Sequence, residues 1–534
     1  MRARPGKAAI FEQFAADGIT YMFGNPGTVE QGFLDESRNF RLTYVPTLHE
    51  GAAVGIADGY ARATRRPALV QLHSGVGLGN GIGMLYQAKR GGSPLVVVAG
   101  EAGVRYDAMD AQMAADLVAM AEPVVKYATR VIDPASTLRV LRRAVKMAMT
   151  PPRGPVLVVL PADVLDELTT EPAVPTSIPD TRVAPSAEAL REAGRLLSTA
   201  RRPLILMGDG VAASDAQPEL TAVAERLGAP VWGVNSSEVN FDTTHPLYGG
   251  QLGHMFGKDS ARVVGDADGV LIVGTYVFPE VFPHLDSPFS ADARIVHIDL
   301  DAYEIAKNFP VDLGVVADPK VALAGLAETL GPRTRAAGRP VAAQATTVPA
   351  AEESPMERFA RVLAERGPAD LVVFDEALTA GGPLARHLPP RRPGHFFQTR
   401  GGSLGVGIPG AIGAKLARPE LPVIGFTGDG GSMYTFQALW TAARENIGAK
   451  FVICNNGRYR LLDLNIEQYW REQGIAPHAY PEAFDLTRPE IDFTALAAAL
   501  GVPGRRVAKA DEVEAAIEAM WAHEGPYLID LAVD

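Results

Sequence analysis

LPVIGFTGDGGSMYTFQALWTAARENIGAKFVICNNGRYRLL, residues 421–462, reads as strand, tight turn, helix and strand again. The apolar run 421–427 stops at Gly428-Asp429-Gly430-Gly431-Ser432, and a helix is expected from about Tyr434. A second apolar run, 450–454, stops at Asn455-Asn456-Gly457. Short Val/Ile/Phe runs without polar alternation are strands buried on both faces, and the helix between them is the crossover that parallel strands require. Asp429 and Asn456 are 27 positions apart, which leaves room for one helix and a return strand. Adjacent parallel strands would bring them side by side at one sheet edge. There a carboxylate, an amide oxygen and a backbone carbonyl form a hard, oxygen-only half-cage that suits Mg²⁺. The glycines leave backbone N–H groups open at a helix N-terminus, a seat for a diphosphate. Either turn alone is ordinary, and the chain holds its own control. MGDG at 207–210 also follows a strand, but 27 positions beyond Asp209 lies Ser236 in VNSSEV, with no Asn pair. Asp209 is therefore read as a turn only.

Outward from this stretch the same grammar repeats. ALVQLHSG, PLVVVAGE and GPVLVVLPAD are further strands of the parallel-sheet kind, alternating with Ala-rich helical patterns. Two Pro- and Thr-rich stretches without period, 169–186 and 331–354, read as linkers. They divide the chain into 1–170, 187–335 and 355–534, each of ordinary domain size. The expected fold is α/β, with three doubly wound parallel-sheet domains, and chemistry is sought beyond the carboxyl ends of the strands.

Composition bounds the function. The 534 residues are 47% hydrophobic and 21% charged, as in soluble globular proteins, and a net charge of −12 offers no basic excess to meet nucleic acid or an anionic membrane. Cys454 is the only cysteine, so no disulfide forms within the chain and a reducing cytoplasm fits. No apolar run reaches membrane-span length, and the first residues lack the apolar run of a signal peptide.

TLHEGAAVGIADGYARA, residues 47–63, sets Glu50 at the head of a stretch of Gly, Ala, Val and Ile. A carboxylate beside so much apolar surface is costly unless it is paired or working. The structural alternative is a helix N-terminal carboxylate favoured by the dipole.

Together, these motifs resemble the thiamin diphosphate-dependent decarboxylase and acetolactate-synthase superfamily, over the whole chain. The resemblance implies thiamin diphosphate and Mg²⁺ as cofactors. Asp429, Asn456 and the Arg458 carbonyl would hold the metal, and Gly430, Gly431, Ser432 and Tyr459 would contact the diphosphate half. Glu50 would hydrogen-bond N1′ of the aminopyrimidine, a task that a dry pocket able to hold a proton near neutral pH would serve. RGGSLGVGIPGAIG (400–413) is similar to the loop that bends the cofactor, with Leu404 as the wedge between its rings and the Gly402 carbonyl accepting from the 4′-amine.

Within the superfamily the first domain looks most like the benzoylformate decarboxylases. FGNPGTVEQGFLD (23–35) matches one of their loops and GIADGYARATRRPALVQLHSGVGLGNGIG (55–83) another. This places Asn25, Pro26 and Gly27 against the cofactor, Thr28 at the substrate carboxylate, and His73 as a proton relay just before a Gly-rich turn. The alternative for His73 is a core histidine. Some positions depart from the pattern. Val281 stands where a second histidine is expected, with His284 three places on; Asn465 replaces an aromatic residue, and Arg458 and Arg460 add cations. The expected activity is decarboxylation of a 2-oxo acid to an aldehyde, by a homodimer or homotetramer whose sites lie at subunit interfaces. A carboligase of the acetolactate-synthase type is the second reading, set back by Ala52 where that relative usually has Gln. A third reading, a cofactor-binding homologue without activity, is opposed by the retention of Glu50, Asp429 and Asn456 together. The central segment reads as structural, with no phosphate loop of convincing spacing.

Overall fold

A computed structural model describes residues 3–253, 255–331 and 353–533. The chain forms two compact units, residues 1–179, 348–388 and 398–534 in the first, and 180–347 with 389–397 in the second. The first linker, 169–186, holds no helix or strand beyond its opening residue, while nearly all of the second lies outside the described residues.

Three six-stranded parallel sheets carry the fold. The first comprises β1 (Tyr21–Gly24), β2 (Thr43–Pro46), β3 (Ala68–His73), β4 (Leu95–Glu101), β5 (Tyr127–Arg130) and β6 (Val156–Pro161), in the order β2-β1-β3-β4-β6-β5. The second unit holds β7 (Pro203–Met207), β8 (Val231–Gly233), β9 (Tyr248–Gln251), β10 (Gly269–Val273), β11 (Arg294–Asp299) and β12 (Leu313–Val316), ordered β9-β8-β7-β10-β11-β12. The third sheet has β13 (Val372–Glu376), β14 (Phe396–Gln398), β15 (Val423–Gly428), β16 (Lys450–Asn455), β17 (Gly504–Val507) and β18 (Tyr527–Ala532), ordered β14-β13-β15-β16-β18-β17. The strands are buried on both faces, as their uninterrupted apolar runs require.

The first and third sheets share one topology, and the middle sheet has another. In the shared topology the order reverses between the first and third strands of each sheet. A doubly wound sheet opens its ligand crevice at such a reversal. In the first sheet this point lies between the ends of β1 and β3, at Gly24 and His73. In the third it lies between the ends of β13 and β15, at Glu376 and Gly428.

Three helices line these crevices: α1 (Glu50–Thr64), α2 (Ser74–Gly91) and α3 (Gly407–Ala417). α1 and α3 pack backbone to backbone. A Cβ on Gly59 would lie 2.2 Å from the Gly410 carbonyl, and one on Gly413 would lie 2.0 Å from the Ile56 carbonyl. Two expectations need correction. SGVGLGN (74–80) is not a turn but the first two turns of α2, whose glycines admit close neighbours. After Gly428 the chain turns helical at once, over Asp429–Ser432, and the next helix starts at Ala438 rather than near Tyr434.

Candidate active site

The first sheet builds a cluster around two carboxyl groups. Glu50 is the first residue of α1, so the N-terminal reading of its position holds, and it is 5% exposed. His49 caps the helix by accepting the Gly51 N–H. Both Glu50 oxygens are engaged. Asn25 Nδ2, from the loop after β1, donates to Oε1 at 3.2 Å, and Asn80 Nδ2, from α2, donates to Oε2 at 3.0 Å. A Cβ on Gly77 would stand 3.0 Å from Oε1, so a glycine in that turn of α2 is what lets the carboxylate sit there.

His73 ends β3 across the crevice from Asn25. Its Nδ1 lies 2.8 Å from Glu30 Oε2, and Glu30 Oε1 accepts the Gly100 N–H at 3.1 Å. Burial holds the Glu30 carboxyl above its usual range, and the histidine bond and charge oppose the shift without cancelling it. With Glu30 ionised, Nδ1 carries the hydrogen and Nε2 is the nitrogen available for proton exchange. The ring lies directly on Gly27, where a Cβ would fall 2.0 Å from its Cγ. Pro26 and Thr28 are exposed on the same loop. His73 is thus no core histidine: its side chain is 17% exposed and paired to a buried carboxylate. Next to this pair a cavity of about 440 Å³ is lined by Val29, Ser74, Glu101, Tyr106, Met113 and Leu117, among others.

The third sheet builds a second cluster. β15 pairs with β16 with Gly428 opposite Cys454, which puts Asp429 next to Asn455 and Asn456. Asp429, 5% exposed, accepts the Gly430 N–H through Oδ1 at 2.7 Å and the Asn456 N–H through Oδ2 at 3.1 Å. Burial raises its carboxyl, and backbone N–H groups of Gly430, Gly457, Asn456 and Arg458 oppose the shift. Asn456 Oδ1 accepts the Arg458 N–H at 3.0 Å. The Tyr459 ring covers Gly430, where a Cβ would meet it at 2.4 Å. Ser432 is buried and spends its hydroxyl on the Asp429 carbonyl. Gly401 and Gly402, both at φ +78°, lift the loop ahead of Leu404, and the space a Gly402 Cβ would enter is open to 4 Å.

Asp209 is an instructive parallel, because it too accepts the N–H of a residue beyond the neighbouring strand, Ser237. Its Oδ1 is further taken by the Glu238 N–H and Asn240 Nδ2, and its Oδ2 by the Ser237 hydroxyl. Asp209 is a saturated turn, as expected. Asp429 differs in that its partners are backbone N–H groups, Gly430 on Oδ1 and Asn456 on Oδ2 with Gly457 and Arg458 close by, whereas side chains of Ser237 and Asn240 also donate to Asp209.

The donor set therefore fits the cofactor: one carboxylate and one amide oxygen beside a glycine-rich helical turn. Among the described residues no three His, Cys, Asp or Glu side chains gather as a metal cluster, so a hard cation would rely on amide and backbone oxygens beside Asp429. Among these residues no hydrogen bond or ion pair joins the Glu50 cluster to the Asp429 cluster within one chain.

Sequence reasoning missed Glu30, Asn80 and Glu376. Each meets its partners through tertiary placement; Glu30, within the quoted 23–35 loop, and Asn80, within the quoted 55–83 stretch, lay in segments already singled out, and Glu376 did not. The departures also have places. Val281 is 60% exposed, and His284 is half-buried with Nδ1 3.0 Å from the Asp286 carbonyl. Arg458 is held by both oxygens of buried Asp463, and Arg460 lies 3.6 Å from the same carboxylate. Neither is an unpaired cation beside the metal seat.

The chain belongs to the thiamine pyrophosphate enzyme family. The N-terminal TPP binding domain of that family matches residues 4–120, the central domain 190–326 and the C-terminal TPP binding domain 380–531. The chain is 33% identical to benzoylformate decarboxylase of Pseudomonas aeruginosa over 536 aligned positions, covering 98% of each. It is 28% identical to the acetolactate synthase isozyme 2 large subunit of Escherichia coli, covering 99% of this chain and 95% of that one. Among solved structures it is similar to the thiamine diphosphate-dependent 4-hydroxybenzoylformate decarboxylase of Rhodococcus jostii RHA1, at a TM-score of 0.88, 30% identity and 99% coverage of both chains. Among the described residues no helix is long and apolar enough to cross a membrane.

Proposed function

We propose that the chain is a thiamin diphosphate- and Mg²⁺-dependent decarboxylase that splits a 2-oxo acid into CO₂ and an aldehyde. The observation that carries this reading is the Glu30–His73 pair at the crevice that also holds Glu50. It sets a proton-transfer group beside the residue that would meet the pyrimidine ring. Asp429, Asn456 and the Arg458 carbonyl would hold Mg²⁺, and Gly430, Gly431, Ser432 and Tyr459 would seat the diphosphate. Gly402 and Leu404 would shape the ring half from one side, and Asn25, Pro26 and Gly27 would bound it on the other. Bound there, the cofactor supplies the electron sink for breaking the carbon–carbon bond to the carboxylate. Glu50 would hold a proton facing the pyrimidine ring, Thr28 would orient the substrate carboxylate, and His73 would move protons to and from the reacting carbon. The cavity beside Ser74 would take the substrate's remaining group.

The same reading makes the enzyme a cytoplasmic homodimer or homotetramer with domains at 1–170, 187–335 and 355–534. A carboligase is the second reading, supported by similarity to acetolactate synthases. CO₂ release from a panel of 2-oxo acids, with and without an acceptor aldehyde, tests both. Release without acceptor is expected, with kcat/KM for benzoylformate below that for smaller or more polar acids. Release only with acceptor would favour the carboligase, and none under either condition would refute both.

A further inference from the structure

The third sheet contains a buried carboxyl outside the residues proposed to hold the metal and the diphosphate. Glu376 ends β13, across the strand-order reversal from Asp429, and is 1% exposed. Its Oε1 accepts the Gly405 N–H at 2.5 Å and its Oε2 the Gly407 N–H at 2.7 Å. The Thr427 hydroxyl donates to it as well, and a Cβ on Gly431 would lie 3.6 Å from Oε1. One side chain thus touches both walls of the crevice, the 400–407 loop and the end of β15 that carries Asp429. Gly405 is held from its other side by the Thr435 hydroxyl, which donates to its carbonyl at 2.5 Å. Its φ of +90° is one that glycine adopts freely and other residues do not. Burial drives the Glu376 carboxyl up to about 7 while the two N–H groups pull it down. Two backbone donors on two oxygens of one carboxyl form a geometry that an amide cannot reproduce.

We propose that Glu376 is a positioning residue of the cofactor site, fixing the 402–407 backbone at a set height above the diphosphate seat so that the site discriminates thiamin diphosphate from diphosphate alone. This rests on the reading that the third sheet seats thiamin diphosphate. It assigns the discrimination to a side chain whose partners are the Gly405 and Gly407 N–H groups and the Thr427 hydroxyl.

Glu376→Gln in the full chain tests it. The amide offers one oxygen and turns its NH₂ on the second backbone N–H, so one clamp is lost. Titration calorimetry with Mg²⁺ present would compare thiamin diphosphate with inorganic diphosphate. The thiamin diphosphate Kd should rise about tenfold or more, as for loss of a buried hydrogen bond to a charged group, while the diphosphate Kd stays within about twofold. Hydrogen exchange at Gly405 and Gly407 in the cofactor-free protein should speed up. Glu376→Asp, which keeps the charge but cannot span both N–H groups, should show the same split and carries the test if the glutamine variant does not fold. Equal increases for both ligands, or no change in either, would overturn the proposal. Wild-type protein that binds diphosphate but not thiamin diphosphate would sink the cofactor reading itself, and the proposal with it.

Discussion

His73 keeps its orientation through one buried carboxylate. Glu30 takes Nδ1 and leaves Nε2 as the other ring nitrogen, the arrangement by which an acid fixes the tautomer of a working imidazole. His73→Ala should therefore slow proton-transfer steps by roughly 10²- to 10⁴-fold. Glu30→Ala should act in the same direction with thiamin diphosphate affinity unchanged, as single-turnover rates would reveal. Wild-type rates in both variants would return His73 to a structural role. His297 is the opposite kind of histidine. It is fully buried, with Nε2 2.8 Å from the Thr275 carbonyl and Nδ1 accepting the Ala306 N–H. Burial lowers its pKa from 6.5 to about 4. The unfolded chain therefore binds a proton near pH 6.5 that the folded chain refuses until about 4. Its contribution is whole above pH 6.5 and is lost as pH falls toward 4, on the order of 3 kcal/mol at most. Urea midpoints followed from pH 7 to 4 should fall in the wild type and fall less in His297→Gln. Parallel curves would contradict this.

At the scale of elements, the contact of α1 with α3 depends on glycines where a methyl group has no room. Alanine at Gly413 would face the Ile56 carbonyl at 2.0 Å and the Tyr60 N–H nitrogen at 2.5 Å, so the helices must separate. Gly413→Ala should cost about 1–3 kcal/mol or more and lower the melting temperature. Gly428→Ala, whose methyl would meet nothing within 4 Å, should leave it nearly unchanged. Equal effects would mean that the close approach is not what these glycines serve. These packing glycines were visible in the sequence but not separable from the glycines of turns. That is why SGVGLGN reads as a turn yet opens α2: low intrinsic helix propensity is overridden by the packing of Gly77 on Glu50 and of Gly81 on Leu72. The strands were legible, because parallel strands buried on both faces leave unbroken apolar runs. So was the Asp429–Asn456 motif, whose parts sit at the ends of two such runs. The Glu30–His73 pair spans 43 positions and exists only because β1 and β3 are neighbours. Glu376 meets its partners through the path of the loop after β14, which no local pattern encodes.

At the scale of the whole molecule, the first and third sheets repeat one topology and place their chemistry at corresponding points. Glu50, Asn25 and His73 stand at one strand-order reversal, and Asp429 and Glu376 stand at the other. Within one chain, among the described residues, no hydrogen bond or ion pair joins the two clusters. On the proposed reading each site takes one cluster from each of two copies, and a closed two-fold assembly makes two such sites. Light scattering should give at least twice the 56.7 kDa chain mass. The central claim, that the two half-sites serve one reaction across subunits, is tested most directly by complementation. Glu50→Gln and Asp429→Ala chains, each expected to be nearly inactive, would be co-expressed, and thiamin diphosphate-dependent CO₂ release from a 2-oxo acid would be measured. Mixed dimers would contain one site carrying both substitutions and one carrying neither, so random pairing should restore about a quarter of wild-type activity. A mixed preparation that forms dimers or tetramers yet is no more active than either parent would contradict the account.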